Sequence, residues 1–468
     1  MTSVCDFLSA DRKRVTATVT GFLPRTAFIP LNYEGDDTFD ILISEGEKIE
    51  EGQTISKNKN NSIHSSISGV VSKISDNCVF FGKKNVKLAK IDLGGSFSYV
   101  GHKQTKKDWR VFDEETLRFK LGERGAVNTF SGCESLFDQI RFCEKKIGER
   151  ILAVRLFDED PSRITEKMLT SIFFDKIIVG AKIIAKALKA EGIVFVYDNS
   201  IEKHKNQIQS KVELAKNEVY TQIEQTESES QVEEIETESS ESENTNENIV
   251  FSGTDARFYP CGFKHEIAQI VKKDHRNTIF EKIGSKDLFI DSQTAIRAFD
   301  SVVYSLPVMN TFVHVTGECL NASGVINVKI GTTLADLAFH CGGFRKRPSK
   351  IVINGIATGN SAGNLEIPVT SAIKSVEFIS KRHVPNQTPE KCVRCGACAN
   401  VCPVHIYPES LYRIFVNKNA EISEEESELS RAALNTAFLC TGCAMCNTVC
   451  PSRIPLCQII ESLKETLE

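Results

Sequence analysis

The spacing of apolar residues changes several times along this chain, and each change marks a different part of it. From residue 29 to 95 the apolar positions come in short clusters separated by turn residues. Ile41-Leu42-Ile43 precedes a polar stretch flanked by Gly46 and Gly52, a turn of the kind seen in small β-sandwich carrier domains. Ile63–Val71 alternates polar and apolar residues, which predicts one half-buried strand. Ile151–Phe157 and Ile193–Tyr197 are instead continuous apolar runs, and Ile177, Ala181, Ile184, Ala185 and Leu188 between them fall at helical spacing. That is a strand–helix–strand unit long enough for a parallel pair. Residues 307–382 return to β character, with strands predicted at Thr311–Val315, Val325–Ile330 and Ile351–Gly355 and a short helix over Thr333–Phe339. Near the end, Pro408–Val416 reads as a helix. A second helix starts near Ser423, where the acidic run Ser-Glu-Glu-Glu-Ser-Glu suits the positive end of a helix dipole.

One stretch has no rhythm at all. Residues 222–248 hold ten glutamates and no Lys or Arg. Such a segment buries too little apolar surface to offset its ordering entropy, so it reads as a disordered acidic loop. The chain has 468 residues, which at roughly 100–200 residues per domain predicts three or four domains. The 57 basic and 62 acidic residues give a net charge of -5, without the basic excess of a nucleic-acid binder. No apolar run reaches the roughly 18 residues of a membrane span, and Met1–Asp6 lacks the basic and apolar regions of a secretory signal. A carrier domain would offer a modifiable lysine between its strands. The turn Lys57-Asn58-Lys59-Asn60-Asn61 lacks the usual Met-Lys, which favours a structural sandwich. Gly355, Gly359 and Gly363 lack a following Gly-Lys-Ser/Thr and read as turns rather than a phosphate loop.

The chemistry lies in the cysteines. Nine of the sixteen fall between Cys392 and Cys457, and eight form two identical runs, each followed by proline. The first comprises Cys392, Cys395, Cys398 and Cys402, with Pro403; the second comprises Cys440, Cys443, Cys446 and Cys450, with Pro451. This is the bacterial ferredoxin spacing for 4Fe-4S clusters, in which the fourth cysteine serves the other cluster. Three thiolates on a tight loop reach three irons of one cubane, and the fourth is expected to start a short helix pointing away. The assignment is Cys392, Cys395, Cys398 and Cys450 to one cluster, and Cys440, Cys443, Cys446 and Cys402 to the other. A pair of zinc sites would not need this duplicated order or the Cys-Pro endings. Cys5, Cys78, Cys133, Cys143, Cys261, Cys319 and Cys341 have no ligand spacing and read as small buried hydrophobes, as does Cys457, on a predicted helix.

With Cys-Val-Arg-Cys-Gly-Ala-Cys in the first run and Pro451-Ser452-Arg453-Ile454-Pro455-Leu456 after the second, the C-terminal segment resembles the C subunit of the Rnf electron-transport complex. Val315-Thr316-Gly317 through Cys341-Gly342-Gly343-Phe344 resembles that family's β-grasp, soluble-ligand-binding domain. Phe258-Tyr259-Pro260-Cys261-Gly262 resembles its Tyr-Pro-x-Gly motif. The resemblance implies a multidomain α+β chain. A barrel-sandwich N-terminal domain spans 1–110, and an α/β flavin/NADH-domain-like module spans 111–300 with the acidic insertion at 203–249. A β-grasp domain spans 301–384, and a ferredoxin-like α domain with two 4Fe-4S clusters spans 385–468. It further implies a peripheral location on the cytoplasmic face of the cell membrane, held by integral membrane subunits. The redox partner would be a ferredoxin- or flavodoxin-type protein, and electron flow would be coupled to Na+ or H+ movement.

The resemblance weakens at the flavin loop. The family's Gly-x-Gly-Gly-Ala-Gly-Phe-Pro stretch survives only in part in Leu121-Gly122-Glu123-Arg124-Gly125-Ala126-Val127-Asn128-Thr129, leaving Gly122, Gly125 and Ala126 as candidate FMN/NADH contacts. The family's Glu-Cys-Glu-Pro becomes Asp158-Glu159-Asp160-Pro161, with Glu159 the remaining candidate. Retained FMN and NADH binding and a structural remnant are both open readings. The lost Gly-Phe-Pro ending and the charge of Glu123 favour the remnant, unless another loop such as Asp198-Asn199 supplies the missing contacts. Two other functions compete with the Rnf reading. A soluble cobalamin-reductase-like enzyme should keep an intact flavin loop, and a non-catalytic scaffold would have little use for eight cluster thiolates.

Overall fold

The computed structural model describes residues 16–33, 36–80, 83–94, 106–200, 248–384, 388–416 and 433–467. The acidic stretch, the helix expected near Ser423, Cys5 and the side chain of Cys78 lie outside the described residues.

Two antiparallel sheets open the chain. One orders its strands Thr26–Pro30, Lys83–Leu93, Gly69–Phe80 and Lys48–Ile49, and the other pairs Asp40–Ile41, Thr54–Lys57 and Ser62–His64. Their apolar faces share one core of Ile29, Leu31, Ile43, Ile55, Ile67 and Val71. Gly46 and Gly52 occupy left-handed conformations at φ 85° and 82°, as their turns require. The single strand expected over Ile63–Val71 is broken. The strand ends at His64 and a new one starts at Gly69, and the serines between them are buried, with the Ser65 main chain still bonded to Gly52 and Gln53. Ser65 Oγ donates to the Ile67 carbonyl at 2.6 Å, and Ser66 Oγ to that of Ile330 at 2.6 Å. The turn that would carry a modifiable lysine instead docks on a neighbouring helix, with Asn61 Nδ2 donating to Asp138 at 2.7 Å.

The second module is a parallel sheet in the order Asn248–Thr254, Gly192–Asp198, Ile151–Arg155, Leu288–Asp291. Its strands read as continuous apolar runs because both faces are covered. Leu152 and Val154 face the helices Thr165–Leu188 and Ser292–Val303, while Ile151 and Ala153 face the helix Lys264–Asp274. The crossover helix starts twelve residues before Ile177, earlier than its apolar spacing marks, with Leu169 and Phe174 extending the buried face. Gly180 lets it touch its neighbour: a Cβ there would lie 1.9 Å from the Ala295 carbonyl oxygen.

The third module is a mixed sheet, ordered Thr16–Thr20, Gly324–Lys329, Asn310–Thr316, Ser375–Ile379, Lys350–Ile353, Asn360–Ala362, with the helix Leu334–His340 on one face. The strand Thr16–Thr20, inside the span read as the N-terminal domain, pairs in parallel with Gly324–Lys329. Gly21 then turns the chain out of that edge, where a Cβ would lie 1.8 Å from the Asn327 carbonyl oxygen.

A buried ionic group joins the second and third modules. Lys374 Nζ lies 3.0 Å from Glu166 and pairs also with Asp291, and all three side chains are almost fully enclosed. Burial alone would raise the Asp291 carboxyl, but Lys374 and the Thr294 hydroxyl hold it well below the usual carboxylate range. Burial, and then the Asp291 charge, push Glu166 the other way. Replacing Lys374 by Met should leave two carboxylates facing each other without a cation and cost about 3–5 kcal/mol. Urea unfolding should show the lowered midpoint, and adding Glu166→Gln should recover part of the loss.

Candidate metal centres and the glycine loop

The two cysteine runs fold into near copies of one loop. In the first, Arg394 and Gly396 adopt left-handed conformations at φ 55° and 74°; in the second, Gly442 and Ala444 do so at 73° and 55°. These are equivalent positions, each the residue before or after a central cysteine. The reversals turn successive thiols toward one side. Short helices follow, Ala397–Asn400 and Met445–Thr448. The helix carries the third cysteine, whereas the loop spacing predicts a helix that starts at the fourth. Cys402 and Cys450 lie two residues beyond the helix ends, and Pro403 and Pro451 turn the chain after them. The chain therefore bends at the fourth cysteine, which lets it reach across.

That crossing is present. One cavity of about 340 Å³ is lined by Cys392, Cys395, Cys398 and Cys450. Another, of about 300 Å³, is lined by Cys402, Cys440, Cys443 and Cys446. Among the described residues no three Cys, His, Asp or Glu side chains close on a single ion-sized point. The thiols instead ring a void, as a cubane with an iron at each of four corners requires and a single zinc ion does not. The residues present therefore fit two 4Fe-4S groups. Main-chain amides already point at the sulfurs: the Arg394 N–H donates to Cys392 Sγ and the Ile454 N–H to Cys450 Sγ, both at 3.4 Å. Burial pushes the Cys443 thiol up to about 11 and the Cys446 thiol up to about 12. Iron binding there must displace protons, so loading is coupled to pH.

Cys398 of one set and Cys446 of the other share a small apolar cluster with Ile454, Leu456 and Cys457, which puts the two cavities side by side. Cys457 is the small buried hydrophobe expected from sequence, in the same apolar cluster. One contact had no sequence signal beyond the Tyr-Pro motif. The Tyr259 hydroxyl donates to the Cys443 carbonyl at 2.5 Å, tying the α/β module to the second loop. Of the isolated cysteines, Cys261, Cys319 and Cys341 are buried, whereas Cys133 and Cys143 are only half-buried.

The glycine loop has a different use. Gly122 ends the helix Glu114–Glu123, and Gly125 follows at φ 70°. The Gly125 N–H donates to the Gly122 carbonyl at 3.0 Å and the Ala126 N–H to the Leu121 carbonyl at 2.9 Å, a Schellman helix stop. A Cβ on Gly122 would lie 2.1 Å from the Asn60 carbonyl oxygen, and one on Gly125 would lie 2.6 Å from that of Ser62. Both glycines thus seat the N-terminal sandwich, and Ala126 is fully buried. Glu159 lies elsewhere, held by Arg155 at 3.0 Å and Arg163 at 3.8 Å. Its neighbour Asp158 accepts from the Glu166 and Lys167 amides, and Asp160 accepts from those of Ala357 and Thr358. Gly355 is needed there, since a Cβ would lie 2.2 Å from the Asp160 carboxyl.

Ligands of open parallel sheets bind outside the carboxyl ends of the strands. Here those ends are occupied by the chain itself. Arg155 is fully buried, donates to the Gly262 and Phe130 carbonyls at 2.6 and 3.1 Å, and lies 4.0 Å over the Phe130 ring. Asp291 is held by Lys374, and Asp198 accepts from the Ser200 and Ala256 amides at 3.0 and 3.1 Å. The alternative loop at Asp198-Asn199 is therefore engaged as well.

Comparison with known proteins agrees with this layout. A family model described as the RnfC barrel sandwich hybrid domain matches residues 11–92, and one described as a 4Fe-4S dicluster domain matches residues 388–454. The C subunit of the proton-translocating ferredoxin:NAD+ oxidoreductase complex of Clostridium ljungdahlii is 23% identical over 402 residues, covering 83% of this chain and 78% of that protein. The C subunit of the ion-translocating oxidoreductase complex of Buchnera aphidicola is 23% identical over 430 residues, covering 90% and 80%. The Na+-translocating counterpart of Acetobacterium woodii is 29% identical over 115 residues, about a quarter of each chain. Among solved structures, an NAD+-reducing NiFe-hydrogenase in the H2-reduced state is similar at 12% identity and a TM-score of 0.47, over 78% of this chain and 68% of that one. Among the described residues no helix is long and apolar enough to cross a membrane. The chain is thus similar to family models at both ends and, at 23% identity over most of its length, to C subunits of ion-translocating oxidoreductase complexes.

Proposed function

We propose that the chain is a peripheral electron-transfer subunit of an Rnf-type membrane complex, working through two 4Fe-4S clusters in the service of ion movement. The crossed exchange of Cys402 and Cys450 between two adjacent cavities carries this reading. When bound, the clusters supply one-electron carriers. The chain's own residues would hold them close together and direct amide hydrogen bonds at the sulfurs, a factor that sets cluster potential. In this reading the central parallel sheet is a flavin/NADH-domain-like module and the mixed sheet a β-grasp domain. The partners are integral membrane subunits and a ferredoxin- or flavodoxin-type protein, at the cytoplasmic face of the cell membrane.

The same reading leaves FMN and NADH out. The Gly125 and Ala126 amides, which would have to face a phosphate, are committed to helix carbonyls, and the glycines are closed against Asn60 and Ser62. The residues present do not fit a flavin phosphate at this loop. That also counts against a soluble cobalamin-reductase-like enzyme, which needs such a site. Co-purification with integral subunits from solubilised membranes supports the Rnf reading against both that enzyme and a free scaffold.

Anaerobically purified chain should hold about eight irons and eight sulfides. Cys398→Ala or Cys443→Ala should lower iron to about half or less, because each loop also carries a ligand of the other set. Iron near two per chain, with zinc in its place, would remove this reading.

The as-purified protein should carry little FMN. NADH should bleach the visible cluster absorbance slowly, and a low-potential protein donor should bleach it quickly. Stoichiometric FMN with rapid bleaching by NADH would overturn the assignment of the central module as a structural remnant.

A further inference from the structure

One end of the mixed sheet carries a concentration of positive charge that neither the cysteine loops nor the central sheet uses. Residues 344–351 and 379–388 hold Arg345, Lys346, Arg347, Lys350, Lys381 and Arg382 and no carboxylate. The fold brings the two stretches together. Lys350 pairs with Ile379 across antiparallel strands, and the Ser349 N–H donates to the Ile379 carbonyl at 2.8 Å. The Arg345 N–H donates to the Cys319 carbonyl at 2.9 Å and Arg345 Nε to that of Glu318 at 2.7 Å. Glu318, the neighbouring carboxylate, accepts from the Ser380 hydroxyl, which closes the same edge. All six cations are exposed, and among the described residues none makes an ion pair.

This charge is local. Residues 222–248 hold ten of the 62 acidic residues and none of the 57 basic ones, so the rest of the chain carries 57 basic against 52 acidic residues. Six cations at one edge exceed that surplus of five, and without them the remainder is close to balance. An aromatic stands at the border. Phe339, next to last in the helix Leu334–His340, is 82% exposed, the most of any large apolar side chain among the described residues. The helix stops in a Schellman turn, with the Gly343 N–H donating to the Ala338 carbonyl and the Gly342 N–H to that of Phe339, both at 2.9 Å. Gly342 and Gly343 are left-handed at φ 81° and 77°, and the turn leads the chain directly into Phe344 and the basic run. A projecting aromatic bordered by Lys and Arg suits a lipid interface, where the ring enters the headgroup boundary and the cations meet anionic headgroups.

We infer that this edge of the mixed sheet, its six cations with Phe339 at their border, is the face the chain lays on an anionic phospholipid surface. A lipid surface satisfies both features at once, since its phosphates are spread widely enough to meet cations from two stretches and its acyl boundary takes the ring. The inference deepens the peripheral reading above and rests on it: protein contacts would hold the chain to its complex, and the basic edge would set which side faces the bilayer.

The test uses the full chain, reconstituted anaerobically, and sedimentation with vesicles of phosphatidylcholine alone or mixed with phosphatidylglycerol. The unaltered chain should bind the mixed vesicles at low salt, leave them as salt rises, and ignore phosphatidylcholine. Arg345→Glu with Lys346→Glu and Arg347→Glu should lower the partition by about tenfold or more, and Phe339→Ser, at a side chain mostly in water, should lower it several-fold. Reversing three cations elsewhere, with Lys272→Glu, Lys273→Glu and Arg276→Glu, should cost about twofold or less, because screening confines the attraction to charges near the lipid. Equal losses from the two triple variants would overturn the inference, since binding would then follow net charge rather than a face. Failure of the unaltered chain to bind the mixed vesicles would also overturn it. So would vesicle binding that the Arg345–Arg347 variant leaves intact, including the case in which that variant loses an acidic protein partner instead. Co-purification of integral subunits in detergent, where no bilayer remains, tests the peripheral-subunit reading separately.

Discussion

The exchange of one cysteine between two loops is the constraint on which the C-terminal module depends. In the two-cluster reading neither loop can complete its ligand set alone. Cys402 must reach the loop that begins at Cys440, and Cys450 must return to the loop that begins at Cys392. The chain between is therefore fixed at both ends, and the helices Pro408–Val416 and Leu456–Leu467 pack where that closure leaves them. Leu411 meets Ile460 and Leu463, with Cys402 and Cys440 at the edge of the same cluster. This apolar floor is small for a free-standing module, and in the two-cluster reading metal binding would contribute to its folding. A pair of disulfides would act in a similar way, except that each cluster would join four chain points.

The central module works by the opposite logic. Its sheet has the form that holds nucleotides in other proteins, but the carboxyl edge is closed by its own ions. Arg155, Asp291, Glu166 and Lys374 are all buried, and each charge has an opposite or a carbonyl within reach. Buried charges that satisfy one another need no ligand, and a ligand would have to displace them at the full desolvation cost. Lys374 comes from the mixed sheet, so the closure also fixes how that sheet sits. The carboxyl edge of this sheet thus serves as a joint to the mixed sheet.

Much of this was legible in the sequence, for physical reasons that differ from part to part. The cysteine spacing encodes ligand geometry directly, so it predicts the crossed sets, and the helix Pro408–Val416 follows from its own pattern. The strands Ile151–Arg155 and Gly192–Asp198 and their crossover helix follow from local periodicity. Contacts between distant residues were not legible. Nothing at Thr16–Thr20 announces that it will pair with Gly324–Lys329, and nothing marks Lys374 as the partner of Glu166. Ser65, Ser66 and Ser68 sit in a stretch that alternates like a strand, and nothing in it announces the bond from Ser66 to Ile330, more than 260 positions away. Spacing within one loop gives the direction in which the fourth cysteine points but not the element that carries it, and the helix in fact precedes it.

The glycines show where such inference stops. A glycine in a motif says that something approaches the backbone closely, without saying what. Gly122 and Gly125 match part of a phosphate-binding pattern, and the structure uses them for the approach of two carbonyl oxygens from residues 60 and 62. A carbonyl oxygen and a phosphate oxygen make the same steric demand and carry the same sign of charge, so both select the same residues. The difference lies in the amides. A phosphate cradle needs free N–H groups pointing outward, and the Schellman stop turns those of Gly125 and Ala126 back onto the helix. Whether a glycine loop binds an anion is thus decided by the hydrogen bonds of the residues after the glycines, and those depend on where the preceding helix ends.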